Sequence, residues 1–165
     1  MNGDGAPPLM DGAPPLNGLP EHEVLYPTDI TVDPSIRAFI SRFYHVSDDP
    51  DRNGEWADFF TEDALVKIGS NVAEGSEEIH RLRENMWVNV ATRKHRVAKV
   101  FPAHFSPTPT APESIDDPEF MLFGTVAYTP RNSSAYIVVD WAGHARLTRD
   151  GADAPWRMLA YTVYF

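Results

Sequence analysis

The chain has 165 residues, no cysteine and a formal charge of −10. The absence of cysteine excludes disulfides, thiolate nucleophiles and cysteine metal sites. The absence of a basic stripe removes the electrostatic footprint a phosphate backbone needs, so nucleic acid is excluded as a partner.

The first 36 residues hold seven of the 15 prolines, six acids and no Lys or Arg, and contain a near-repeat, Asp4–Leu9 and Asp11–Leu16. Proline and glycine at this density build neither helix nor ladder, which predicts a disordered acidic leader over 1–33 and one folded domain over 34–165. The duplicated hexapeptide is too short for a solenoid unit. The opening residues lack a basic segment followed by an apolar one, and no stretch is long and apolar enough for a membrane span. A cytoplasmic protein without membrane contact is expected. Asn132-Ser133-Ser134 matches a glycosylation acceptor but reads, without a secretory signal, as a turn.

In chain order, Asp33 or Ser35 caps a first helix with Pro34 at its first position. Ile36, Phe39, Ile40 and Phe43 recur along it at helical spacing. A turn-rich stretch, Ser47–Asp51, leads to a short second helix around Glu55–Phe60 with Trp56, Phe59 and Phe60 inward. Ala64–Ile68 reads as a first strand and Asn71–Glu74 as a second. Ser76 reads as the N-cap of a third helix with acids in its first turn and a stripe of Ile79, Leu82, Met86 and Val90. Four strand-like segments close the chain: His95–Ala103, Phe120–Thr129, Ala135–Thr148 and Trp156–Phe165. A proline-rich loop, Ser106–Pro118, separates the first two. Strands this long curl, so the expected fold class is α+β, a curved, mainly antiparallel sheet around about three N-terminal helices.

An apolar pocket in such a container works with an acid, a base and a dry environment, so no cofactor is expected. His95 is the first candidate for proton transfer; the alternative is a histidine capping the third helix. On the Ala135–Thr148 strand, Asp140, His144 and Arg146 share one face and Val139, Trp141, Gly143, Ala145 and Leu147 the other. Two placements stay open. The apolar face packs on the helices and leaves the polar face outside, or Asp140 (base), His144 (acid or donor) and Arg146 (anion holder) form a patch at the pocket mouth, with a Gly143 bulge able to re-aim the strand. Asp48 reads as a turn former, and Tyr44 as core or as a hydroxyl donor to a substrate carbonyl. Lys99 shares the His95 face by parity, inward with a lowered pKa or outward in solvent. Trp56, Trp87, Trp141 and Tyr161 line a flat ligand's pocket or simply fill the core. His80, His95, His104 and His144 are scattered without ligand spacing, so no metal is assigned.

Phe43-Tyr44, Trp56–Phe60, Glu62–Ala64, Gly75–Ile79, Arg93–His95 and Trp156–Met158, taken in order, make residues 34–165 resemble the SnoaL-like proteins of the nuclear transport factor 2-like superfamily. The sequence is similar to fungal relatives encoded with secondary-metabolite pathways. The resemblance implies a cone-shaped α+β barrel with one pocket. It also implies a cofactor-independent cyclase, isomerase or dehydratase acting on a small, hydrophobic, polyketide-like substrate by general acid/base catalysis. It supports His95, where such enzymes place a pocket histidine, and Asp48, near where dehydratase-like members place an aspartate. It further implies a homodimer formed through the convex face. Two other readings stay open: a non-catalytic ligand-binding or dimerising scaffold, and an epoxide hydrolase or cyclase with a carboxylate holding water inside the pocket.

Overall fold

The computed structural model describes residues 23–105 and 117–165. The near-repeat of the leader and almost all of the expected 106–118 loop lie outside the described residues.

Helix α1 spans Pro34–Ser47, with Asp33 Oδ1 accepting from the Ser35 N–H at 2.8 Å. Its stripe of Ile36, Phe39, Ile40 and Phe43 is buried. Helix α2 spans Asn53–Asp58, earlier than expected, because Phe60 opens strand β1 (Phe60–Ile68) and the Phe59 carbonyl accepts from Met158 at 2.8 Å. Strand β2 is Asn71–Glu74. Helix α3, Ser76–Asn85, is capped at Gly75 and not at Ser76. The chain enters this helix at φ 81°, a left-handed conformation open to glycine, and no side chain caps the end. The helix also stops short of Val90, which opens strand β3 (Val90–Ala103). Strands β4 (Glu119–Pro130), β5 (Ile137–Thr148) and β6 (Arg157–Tyr164) complete the meander.

The six strands form one sheet in the order β2-β1-β6-β5-β4-β3. Every neighbouring pair is antiparallel except β1 and β6, which run parallel. That parallel pair joins the two ends of the domain, a long-range contact no local pattern encodes. The helices cover one face of the curved sheet. At their centre Phe43 packs against Tyr44, Trp56, Phe59, Phe60 and Tyr161, with ring centroids 5.1–6.0 Å apart.

Strand β3 carries the irregularity that matters for the site. Val97 pairs with Gly124 and Lys99 with Phe123, so Ala98 is an extra residue, a β-bulge. Gly124 makes it possible, since a Cβ there would overlap the Arg96 carbonyl oxygen. After the bulge the alternation restarts: Val97 and Val100 are buried, and Lys99 is exposed on the outer face. The parity that grouped Lys99 with His95 does not survive it. Residues 23–33, expected as the end of a leader, lie against the domain. Leu25 forms a parallel bridge to β3 through Ala98 O and Val100 N, both at 3.0 Å, while Val24 and Tyr26 pack on the core.

Candidate active site

Between the helices and the inner face of the sheet lies a cavity of about 510 Å³. Phe43 and Ser47 of α1, Trp56 of α2, Val126 of β4, and Trp141 and Tyr161 of β5 and β6 contribute walls. Arg93 and His95 project from β3. Among the described residues its lining contains no Asp or Glu side chain.

His95 does not face the cavity unsupported. Asp48, the residue that ends α1, accepts from the His95 backbone N–H at 3.0 Å and lies 2.6 Å from Nδ1 through Oδ1. One carboxylate therefore fixes both the strand and the ring. A hydrogen on Nδ1 donated to Asp48 leaves the lone pair on Nε2, the tautomer this geometry selects. Both side chains are sequestered, 15% and 11% exposed. Desolvation lowers the His95 pKa. The hydrogen bond and charge of Asp48 oppose it, and the nearby Arg93 and Arg83 charges add to it, with a net decrease. The ring therefore rests neutral at neutral pH, the state a general base requires.

Asp48 owes its own position to a residue the sequence did not single out. Arg83 of α3 is fully buried and donates to Val46 O (3.2 Å), Ser47 O (3.0 Å), Asp49 O (2.8 Å) and Asn53 Oδ1 (2.8 Å). Its guanidinium lies 5.2 Å from both the Trp56 and Trp87 ring centroids. Burial lowers its pKa to about 10, still charged at any working pH. The carbonyls on both sides of Asp48 are thus tied to one cation. The available signal was phase: Ile79, Arg83 and Trp87 fall four apart and are all buried. Trp56 Nε1 adds a bond to Ser47 Oγ at 3.0 Å, which itself donates to Phe43 O at 2.7 Å.

Tyr44 is buried with its hydroxyl 3.0 Å from that of Tyr161, and its ring neighbours both His95 and Trp141. Desolvation raises both tyrosine pKa values, so both remain protonated. Gly143 makes room for this cluster, since a Cβ there would stand 3.2 Å from the Trp141 ring. It makes no bulge: β4 and β5 pair without a break from Glu119–Arg146 to Tyr128–Ile137.

The remaining expected residues lie elsewhere. Trp141, Gly143, Ala145 and Leu147 are buried, so Asp140, His144 and Arg146 take the opposite, outer face. Asp140 and Arg146 are exposed there, and His144 Nε2 lies 3.7 Å from Glu119. The placement that made them partners of His95 is corrected: the uninterrupted alternation of β5 points them away from the cavity. Lys99 is likewise outside. Trp87 is buried but does not line the cavity; it supports Arg93, whose guanidinium lies 4.5 Å from its ring centroid.

No family model matches the chain, and no curated protein sequence matches it. Solved structures do. ActVI-ORFA from Streptomyces coelicolor shares 18% identity at a TM-score of 0.59, covering 79% of this chain and 93% of that one. A hexachlorocyclohexane dehydrochlorinase, LinA Type2, shares 17% at 0.63, covering 79% and 82%. Nuclear transport factor 2 from Cryptosporidium parvum shares 11% at 0.58, covering 81% and 97%. The fold is therefore nuclear transport factor 2-like, shared by a transport factor and a dehydrochlorinase. No helix among the described residues is long and apolar enough to cross a membrane.

Proposed function

We propose that this protein is an acid/base enzyme, a cyclase, isomerase or dehydratase, acting on a small hydrophobic, polyketide-like substrate. The observation that carries this reading is the Asp48–His95 pair: a neutral imidazole held at 2.6 Å by a carboxylate, on the wall of a mainly apolar cavity. His95 Nε2 takes a proton from a carbon next to a carbonyl, and Asp48 stabilises the imidazolium that forms. The same imidazolium then returns the proton. Return to a different carbon isomerises the substrate, delivery to a leaving hydroxyl dehydrates it, and attack of the enolate on an internal electrophile closes a ring. Tyr161, protonated and on the cavity wall, supplies a neutral hydrogen-bond donor. The epoxide-hydrolase alternative asks for a carboxylate holding water inside the cavity. The described lining has no Asp or Glu side chain, and Asp48 is already committed to His95.

Metabolite comparison of strains with and without the protein identifies the substrate, and His95→Ala tests the assignment. Unchanged turnover of that substrate by the variant would overturn it.

The outer face supports a homodimer. Phe101, Met121 and Phe123 are exposed there, with Phe101 and Phe123 stacked at 6.1 Å. Asp140 and Arg146 on the same face provide both signs of charge, which an isologous contact can pair. Sedimentation should give a dimer that Phe123→Asp dissociates; a wild-type monomer at high concentration refutes it.

A further inference from the structure

Arg93 is a cation on the wall of the cavity, yet the acid/base chemistry described above does not use it. Its Nη2 donates to Met86 O at 2.9 Å, a neutral acceptor at the end of α3. Its Nη1 is buried and, among the described residues, has no hydrogen-bond partner. Among the described residues no carboxylate lies within 4.0 Å of it, and the nearest acid acting on it, Asp48, is bound to His95. Desolvation lowers its pKa, and the charge of Asp48 opposes that only in part. A guanidinium in this condition is costly unless something completes it. A second lining residue, Trp141, also keeps an indole N–H with no acceptor among the described residues. In a chain of net charge −10, the described lining offers Arg93 as a cation and no Asp or Glu side chain to compete with an incoming anion.

We infer that the cavity takes an organic anion, with the Arg93 guanidinium holding an anionic oxygen of the substrate and Trp141 beside it, while the apolar walls take the carbon skeleton. The inference rests on the acid/base reading for its place in a reaction, but the anion site stands on its own geometry. The oxygen has two possible sources. It is a carboxylate the substrate already carries, or an enolate oxygen that gains charge as His95 removes the proton. In both cases the chemistry recognised is a planar, oxygen-centred anion matched by the guanidinium fork.

The test uses three aromatic probes small enough for the cavity, followed by tryptophan fluorescence and absorbance. If the substrate carries the charge, 2-naphthoate binds the full-length protein at least about tenfold more tightly than its neutral isostere 2-naphthamide, a charge-assisted bond against a neutral one. If the charge develops during reaction, the naphthalene pair binds alike, but bound 4-nitrophenol is more ionised than free 4-nitrophenol at the same pH. Either result supports the anion site. Equal binding of the pair together with unshifted nitrophenol overturns it, as does failure of all three to bind. Arg93→Met is expected to erase whichever signal the wild type gives, and Trp141→Phe to weaken it. A signal that persists in a folded Arg93→Met protein also overturns the inference. Should that variant not fold, the wild-type comparison and Trp141→Phe still decide. His95→Ala separates the two proposals, because it is expected to keep whichever probe signal the wild type gives while abolishing turnover.

Discussion

Two histidines of this protein stand beside carboxylates, one on each face of the sheet. His95 lies 2.6 Å from Asp48 on the inner face, both groups nearly out of solvent. His144 lies 3.7 Å from Glu119 on the outer face, 28% and 25% exposed. The residue types are the same and the chemistry is not. In the first pair the carboxylate also takes the histidine's backbone N–H, a buried arginine fixes the carboxylate's own segment, and the ring opens on a dry cavity. In the second, water screens a loose contact, and such pairs contribute little. What makes a histidine a proton carrier here is the apparatus around it.

The strongest way to break that contrast is to remove the apparatus. Arg83→Met leaves the Val46, Ser47 and Asp49 carbonyls without their buried donor and should cost about 3–5 kcal/mol of stability, read from urea unfolding. A loss below about 1 kcal/mol would mean that Arg83 does not hold the Asp48 segment. Next come the pair itself and its counterpart. His95→Gln should reduce turnover of the identified substrate by about 10²–10⁴-fold. Asp48→Asn should cost about 10²-fold or more, because an amide can donate to Nδ1 and move the hydrogen to Nε2. His144→Ala should leave kcat/KM within about twofold; a larger loss would erase the distinction between the two faces. The smallest expected effect is on pH dependence. Since the folded His95 pKa is lowered, the unfolded chain binds a proton the native ring refuses, so stability should fall as pH drops below about 6.5 toward the lowered value. His95→Gln should flatten that slope in melts recorded across the window, and an unchanged slope would show that desolvation of the ring is not what sets it.

Much of the container was legible because its pattern is local. The stripe of α1, the β2 strand and the closing meander follow from spacing and turn residues, and the inner face of β5 follows from alternation. The site was less legible because it depends on contacts far apart in the chain. Asp48 reads as a turn residue, yet the local turn bond is made by Asp49, which accepts from the Asp51 N–H at 2.9 Å and leaves Asp48 for His95. Arg83 and Arg93 lie in sequence toward the end of the third helix, where a cation suits the helix dipole, and nothing local announces that Arg83 is buried or that Arg93 belongs to strand β3. The bulge at Ala98 has no signature in β3 itself; its enabling residue, Gly124, lies on the neighbouring strand.

That bulge also settles how β3 responds to changes in length. Because Ala98 is surplus to the pairing, a deletion there would restore ordinary alternation with His95, Val97 and Val100 still turned inward. A residue inserted between His95 and Val97 would have no such slack, and would swing the imidazole out to solvent although every original side chain was still present. Homologues of this chain should therefore tolerate gaps at position 98 and resist them two residues earlier.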